Sequence, residues 1–172
     1  LLGGYGHPPN VEAVEYFIAN VMPGLKDKHP EIHFNIYGSQ LPKKLIDLAN
    51  DTVNMQGYVE VIDQVYNENK IFIAPLQSGA GIKGKVLGAL AYGIPTILSP
   101  VAAEGIGLRD GVETLIAKTP DQWIEAIEKL HYDPALWLNI SKAGQEYVNT
   151  FYSFSAGEKL MAEALGNVDI FI

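Results

Sequence analysis

The stretch from Ile71 to Tyr92 reads IFIAPLQSGAGIKGKVLGALAY and decides the fold. It begins with an uninterrupted apolar run, Ile71 to Leu76, which is typical of a parallel strand covered on both faces. It ends with small apolar residues, Val86 to Tyr92, which predict a helix. The loop between them, Gln77 to Lys85, is rich in glycine and is named the glycine turn below. The sequence therefore predicts a strand, a tight loop and a helix in immediate succession.

The glycine turn also holds the charges of this region. Between Lys70 and Glu104 the sequence carries just two charged side chains, Lys83 and Lys85, and both lie in the turn. Backbone N–H groups at the start of a helix, joined by cations, are how proteins hold phosphate groups. We therefore expect a phosphate-bearing ligand at this loop.

The same alternation of strand and helix runs through the chain. Apolar runs bounded by Gly, Pro or polar residues predict strands at Ile32–Tyr37, Val53–Gln56, Ile71–Leu76, Thr96–Leu98 and Thr114–Ala117, and Leu1–Gly4 is expected to be the end of another. Helical spacing is found at Pro8–Leu25, Leu41–Ala49, Val61–Tyr66, Trp123–Leu130 and Pro134–Val148, with Asp121 and Ser141 as cap-type residues. The fold class predicted is α/β, a Rossmann-like doubly wound parallel sheet with a helical C-terminal segment after about Thr119.

Composition narrows the function classes. A chain of 172 residues, 48% of them hydrophobic, fits one domain. The net charge of −8 and the pI of about 4.9 disfavour a nucleic-acid partner. There is no cysteine, and the four histidines stand at no metal-ligand spacing, so we expect neither a metal site nor a bound cofactor. The lack of cysteine agrees with a cytoplasmic location. The opening Leu1-Leu2-Gly3-Gly4, without an initiator methionine, suggests a fragment of a longer protein.

Two known phosphate-binding motifs match the glycine turn incompletely. Gly79, Gly81 and Gly84 satisfy G-x-G-x-x-G, the dinucleotide fingerprint, but that motif belongs to the first βα unit, whereas here it falls in about the fourth. Gly79, Gly84 and Lys85 satisfy G-x-x-x-x-G-K, but Val86 follows where a nucleotide-hydrolysing enzyme needs Ser or Thr to hold Mg²⁺. Neither a nicotinamide dehydrogenase nor an NTPase is favoured.

A third match covers most of the chain. The glycine turn with its helix, and the step Gly93-Ile94-Pro95-Thr96 into the next strand, resemble the donor-binding C-terminal half of GT-B glycosyltransferases, family 4 (group 1) type. Further resemblances follow three predicted strands, at Gly6–Ala13, at Gly57-Tyr58-Val59 and at Ala103–Leu108. They occur in the family's order over residues 1 to about 150.

The resemblance implies one nucleotide-sugar-binding domain over residues 1–172, with 152–172 as terminal helix and tail, whose N-terminal acceptor domain is absent. The implied nucleotide-sugar site consists of Gly4, Tyr5, Gly6, His7, Tyr58, Val59, Gly79, Ala80, Gly81, Ile82, Lys83 and Lys85. In it, Tyr58 and Val59 meet the nucleobase, and the glycine turn holds the diphosphate, with Lys83 nearer to the phosphates than Lys85. No residue of this half is assigned a catalytic role. Any membrane contact would come through the missing region, which would make the full-length protein peripheral.

The sequence departs from the family after the first strand, where Tyr5-Gly6-His7 lacks the Arg and Lys that commonly stand there, and at two positions across the glycine turn and its helix. Many retaining members carry two glutamates spaced E-x7-E across this turn, the second of which takes the ribose hydroxyls. The matching residues are Ala80 and Gly88. Two functions remain open: the donor-binding domain of an enzyme that transfers a sugar from a nucleotide-sugar to a glycan or lipid-linked saccharide, or a degenerate GT-B-like module for nucleotide binding or assembly without turnover. The fragment alone is expected to be inactive.

Overall fold

The computed structural model describes residues 1–166 and confirms the α/β class. The strands are β1 (Phe34–Tyr37), β2 (Val53–Gly57), β3 (Phe72–Ala74), β4 (Thr96–Leu98) and β5 (Leu115–Ile116). The helices are α1 (Pro8–Asn20), α2 (Met22–Lys28), α3 (Lys43–Ile46), α4 (Ile62–Asn67), α5 (Gly84–Ala91), α6 (Pro100–Ala103), α7 (Pro120–Tyr132), α8 (Pro134–Phe151) and α9 (Phe154–Gly166). As expected, the described chain is helical after Thr119.

The strands pair in parallel, β1 with β2 in one sheet, and β3 with β4 and β4 with β5 in the other. Residues 1–4, named the first segment, run beside β1, where the Leu2–Tyr37 bridge is parallel. The N–H of Gly3 donates to the carbonyl of Tyr37 at 3.0 Å, and the N–H of Tyr37 donates to the carbonyl of Leu1 at 2.9 Å. The predicted strand end is present as this single parallel bridge and its two hydrogen bonds, without a strand of its own. Within residues 1–166, no ladder joins the first segment to β3.

The core lies against the buried strands. Every residue of β3 and β4 is buried, as the continuous apolar runs predict. Trp123 of α7 is 1% exposed and meets the ring of Phe17 on α1 edge-on, with 5.7 Å between ring centroids. Edge-to-face packing of aromatic rings adds to the burial of their surface. This packing fixes α1, whose first turn helps to build the site described below.

The prediction of a single helix from Pro8 to Leu25 is wrong. The structure divides it into α1 and α2 at Val21, which caps α2. Pro23 explains the break, because proline has no N–H to donate within a helix. The helix expected at Leu41–Ala49 is also shorter and covers only Lys43–Ile46.

The caps of the last helices differ from those expected. Thr119, not Asp121, is the N-cap of α7: its hydroxyl accepts from the N–H of Gln122, whose side chain reaches back to complete a capping box. The carboxylate of Asp133 caps α8 by accepting hydrogen bonds from the N–H groups of Ala135 and Leu136. Ser141 lies inside α8, where its buried hydroxyl donates to the carbonyl of Gly93 at 2.6 Å. Sequence alone does not distinguish a cap from a helix interior position that finds a distant acceptor.

We expect Thr119→Ala to lower the free energy of unfolding by about 1 kcal/mol, because the first N–H groups of α7 lose their acceptor. Asp121→Ala, the matched control in the same turn, removes only a charge near the helix N-terminus and is expected to cost about 0.5 kcal/mol. Urea denaturation of both variants measures the difference. A larger loss for Asp121→Ala than for Thr119→Ala would contradict the assignment of the cap.

The last described helix lies on the surface. None of the residues of α9 is buried, and its large apolar side chains Phe154, Leu160, Met161 and Leu165 are between 55% and 83% exposed. The terminal helix predicted for residues 152–172 is thus present over 154–166, and the tail from 167 to 172 lies outside the described residues. Within residues 1–166, no helix is long and apolar enough to pass through a bilayer.

Candidate functional site

A cavity of about 340 Å³ opens where the first segment and β3 end. It is named the donor cavity below. Two stretches of chain face each other across it, one from Gly3 to Asn10 and the other from Leu76 to Lys85. Its lining residues are Gly3, Gly4, His7, Pro9, Asn10, Leu76, Ser78, Gly79, Ala80, Lys83, Gly84 and Lys85. Open α/β sheets bind ligands at the carboxyl ends of their strands, which is where this cavity lies.

Two helices begin at the donor cavity. His7 is the N-cap of α1 and Lys83 is the N-cap of α5, and neither cap makes a side-chain capping bond. Within residues 1–166, the backbone N–H groups from Gly79 to Lys85 donate no hydrogen bond. Unpaired N–H groups and the positive ends of two helix dipoles favour a bound anion.

Both lysines of the turn point inward. Lys83 is 9% exposed, and its ammonium donates to the carbonyl of Gly81 at 2.6 Å. Lys85 is partly buried, and its ammonium donates to the side-chain oxygen of Asn10. Neither ammonium is paired with a carboxylate within residues 1–166. Two unneutralised cations in a concave site attract an anionic ligand.

Burial, and then repulsion from Lys83, lowers the pKa of Lys85 from 10.5 to about 8. In the unfolded chain this lysine holds its proton to higher pH. The cost of burying its charge is therefore fully present below about pH 8, and stability rises as the pH increases from about 8 to 10.5. A bound anion offsets this cost, so filling the cavity favours the charged form of Lys85.

Sequence reasoning missed three residues that join the two walls of the cavity. Asn10 donates from its side-chain NH₂ to the carbonyl of Gly4 at 2.8 Å, besides accepting from Lys85. The hydroxyl of Ser78 donates to a carboxylate oxygen of Glu12 at 2.6 Å. Asn10 and Glu12 belong to the first turns of α1, and nothing in the local sequence marks them as partners of a loop some 70 residues away.

The structure brings six of the expected residues to the cavity, namely Gly4, His7, Gly79, Ala80, Lys83 and Lys85. Six others do not line it. Of these, Gly81 contributes its carbonyl to Lys83, and the remaining ones are Tyr5, Gly6, Tyr58, Val59 and Ile82. The side chains of Tyr58 and Ile82 are 74% and 54% exposed. Ile82 therefore points out of the glycine turn into solvent, and the contact of Tyr58 with a ligand stays a prediction.

Tyr5 occupies a different environment from its neighbours. Its side chain is 3% exposed within the core, and burial raises the pKa of its hydroxyl far above the usual range. Its N–H donates to the carbonyl of Ser39 at 2.9 Å, so that donor is already used. The Tyr5 side chain therefore lies in the core and does not line the cavity, and its contact with a ligand stays a prediction.

The space beside Gly88 is filled by a side chain from another helix. A Cβ atom on Gly88 of α5 would lie 2.9 Å from the hydroxyl of Tyr66 on α4. That hydroxyl donates to the carbonyl of Lys85, and the Tyr66 ring stacks on Tyr92, with 4.6 Å between centroids. Burial raises the pKa of Tyr66 to about 12, so it stays neutral. Gly88 therefore gives the tyrosine room to support the first turn of α5.

A second cavity, of about 200 Å³, lies between β1 and β3 at the opposite ends of the strands. Its wall consists mainly of core side chains and sets the two carboxylates of Glu31 and Glu68 against the single ammonium of Lys70, a balance that disfavours an anion. No group of three or more His, Asp or Glu residues within 1–166 is placed to hold a metal ion. The lysines and amides of the donor cavity are the groups that suit a charged ligand.

Comparison with known proteins identifies the family. Residues 1–133 match the family described as "Glycosyl transferases group 1". The chain belongs to this family. A protein from the cps region of Klebsiella pneumoniae, described as uncharacterized and 44.6 kDa, is 26% identical over 125 residues, which cover 67% of this chain and 32% of that protein.

Solved structures share the fold of this group 1 chain. TarM, known from Staphylococcus aureus, has a TM-score of 0.80 at 17% identity, over 94% of this chain and 34% of its own. Anabaena HepE, solved with UDP and glucose, has a TM-score of 0.76 at 14% identity, over 94% of this chain and 46% of its own. The C-terminal domain of LpcC from Francisella tularensis has a TM-score of 0.65 at 16% identity, with 86% of this chain and 82% of that domain covered.

These matches confirm the resemblance to the C-terminal half of a GT-B glycosyltransferase. The chain spans about a third of the curated relative and less than half of the TarM and HepE chains, whereas it spans most of the isolated C-terminal domain. What the whole protein does therefore belongs to the proposal that follows.

Proposed function

We propose that this chain is the donor-binding domain of a glycosyltransferase that takes a sugar from a nucleotide-sugar. The observation that carries the proposal is the donor cavity, in which Lys83, Lys85 and a run of unpaired N–H groups converge without a carboxylate partner within residues 1–166. Family membership supports the reaction class, and the UDP in the HepE structure is an example of the ligand class.

The chemistry of transfer suits such a site. When a sugar leaves its nucleotide, the departing diphosphate gains negative charge. Fixed N–H donors and cations aimed at the place where charge develops lower the barrier, because they need no reorganisation during the reaction. We assign this role to the amides of Gly79–Lys85 and to the ammonium groups of Lys83 and Lys85. The diphosphate lies over the start of α5, and His7 and Gly4 approach it from the opposite wall.

The nucleobase and the ribose extend from the diphosphate along the cavity rim. We assign the base to the loop at Tyr58 and Val59, where the exposed ring of Tyr58 offers a stacking surface. The acceptor, a glycan or lipid-linked saccharide, approaches from an N-terminal acceptor domain. We expect no turnover from residues 1–172 alone for that reason. The whole chain from 1 to 172 serves as one binding domain, without a metal or another cofactor.

One observation favours a second candidate. Ala80 and Gly88 provide no carboxylate to the donor sugar or the ribose, and Tyr66 fills the room beside Gly88. A module that had kept the fold but lost donor turnover, and that served nucleotide binding or assembly, would show this combination. The inward-facing lysines favour the first candidate, because assembly alone does not require buried, unneutralised cations.

Calorimetric titration of the chain tests the proposal. The ligands are UDP, GDP, ADP and the glucose conjugate of each, with inorganic pyrophosphate as a probe that needs no base contact. We expect binding of one nucleotide class with a dissociation constant between micromolar and millimolar, and weaker binding of pyrophosphate. Absence of binding by all ligands at millimolar concentration would contradict donor binding and favour the degenerate module.

A further inference from the structure

We propose that Asn10 is a positioning residue of the donor cavity: its side-chain amide ties Lys85 to the loop at Gly4 and holds the ammonium where its remaining N–H groups can donate to an anionic ligand. The inference rests on the proposed function, since it concerns the same cavity. It adds a residue whose role follows from contacts between the two walls.

Both the NH₂ group and the oxygen of the Asn10 side-chain amide form hydrogen bonds. Its NH₂ group donates to the carbonyl of Gly4 at 2.8 Å, and its oxygen accepts from the ammonium of Lys85. The orientation is fixed by chemistry, because a carbonyl only accepts and an ammonium only donates. Asn10 is 9% exposed, and both bonds are partly buried, which shields them in part from bulk water. A single side chain therefore links the two walls of the cavity.

The loop beside Asn10 is shaped around it. A Cβ atom at Gly3 would lie 2.9 Å from the Asn10 NH₂ nitrogen, so the absence of a side chain there lets the amide reach Gly4. Asn10 stands in the first turn of α1, which the packing of Phe17 against Trp123 holds in place. The position of Lys85 therefore depends on the packing of the core.

The side-chain amide of Asn10 carries no charge, and its role depends on this. Among the described residues, Lys83 is the charged group that repels Lys85, whereas the carboxylate of Glu12, on the same helix as Asn10, accepts from the hydroxyl of Ser78. An amide oxygen holds the ammonium without neutralising it. A carboxylate at position 10 would pair with Lys85 and compete with an incoming phosphate. Asparagine therefore positions the cation and leaves its charge available.

Substitution at position 10 tests this with UDP titration, or with pyrophosphate if UDP does not bind. We expect Asn10→Ala to weaken binding about 5-fold through loss of position, and Asn10→Asp about 50-fold, because it adds a competing charge. Asn20→Ala is the matched control: Asn20 lies on the same helix, donates to Tyr16 and is exposed. It should bind as the wild type does. Equal binding by all variants, or weaker binding by Asn10→Ala than by Asn10→Asp, would overturn the inference.

A measurement on the protein without ligand tests the role of Asn10 independently of the proposed function. In NMR titration of the lysine side-chain CH₂ groups, we expect the pKa of Lys85 to rise in Asn10→Asp and to fall in Asn10→Ala. An unchanged Lys85 titration in both variants overturns the role of Asn10, whichever nucleotide binds. If the titration shifts but the wild type binds no anion, the proposed function fails instead, and with it the contact of Lys85 with a ligand.

A double-mutant cycle guards against a purely structural effect. If Asn10 acts through Lys85, then Asn10→Ala should weaken binding no further in a Lys85→Met background. Additive losses in the double variant would show that Asn10 acts elsewhere and would overturn the inference. Thermal melts of all variants establish that the domain remains folded.

Discussion

Replacing Lys83 and Lys85 together by methionine is expected to weaken nucleotide binding by at least about 100-fold. Each ammonium is expected to donate at least one charged hydrogen bond to the diphosphate, and such bonds contribute about 1.5–3 kcal/mol each. A loss of about 1.4 kcal/mol corresponds to about tenfold in affinity. Methionine keeps the unbranched stem that packs in the cavity wall, so the change removes charge with little change in volume.

Calorimetry with the nucleotide that the wild type prefers measures this loss. Lys142→Met is the matched control, because Lys142 is an exposed lysine of α8 far along the chain from the glycine turn. The single variants show which cation carries more of the binding, and we expect the larger effect at Lys83. An affinity within about threefold of the wild type for the double variant would remove both lysines from the site.

Gly38→Ala is expected to lower the free energy of unfolding by more than about 3 kcal/mol. Gly38 follows β1 with φ of +139°, and a Cβ atom there would lie 1.6 Å from the carbonyl oxygen of Gly3. The Gly3 carbonyl belongs to the backbone and cannot move aside as the end of a flexible side chain does. The first segment would therefore have to move away from β1. Because Gly3 and Gly4 line the donor cavity, we expect nucleotide binding to be lost as well.

Gly57→Ala provides the comparison. Gly57 ends β2 with φ of +75°, but a Cβ atom added there would meet nothing within 4 Å. The substitution should cost only the backbone strain of a left-handed residue, about 1–2 kcal/mol. Urea denaturation of both variants separates close approach from strain. Equal losses would show that the Gly3 carbonyl moves aside freely, contrary to the expectation.

How closely the predicted bounds of a strand match the observed ones depends on the strand it pairs with. Thr96–Leu98 was predicted with the bounds that β4 has, because Pro95 and Pro100 flank it closely. The run Ile71–Leu76 predicted a longer strand than β3. Its ladder stops at Ala74 because β4 supplies partners only to that point, and because Pro75 has no N–H to pair. An apolar run shows that a segment is buried, and its neighbour determines how much of it is paired.

The sequence by itself determined the alternation of strand and helix, the place of the glycine turn and the presence of two cations in it. These features follow from local periodicity and from the backbone chemistry of glycine and proline. Only the tertiary structure decided that Asn10 meets Lys85, 75 residues away, that Tyr5 turns into the core, and that the lysines face inward. Such contacts depend on which strands are neighbours and on how the helices pack, and no local pattern of residues carries that information.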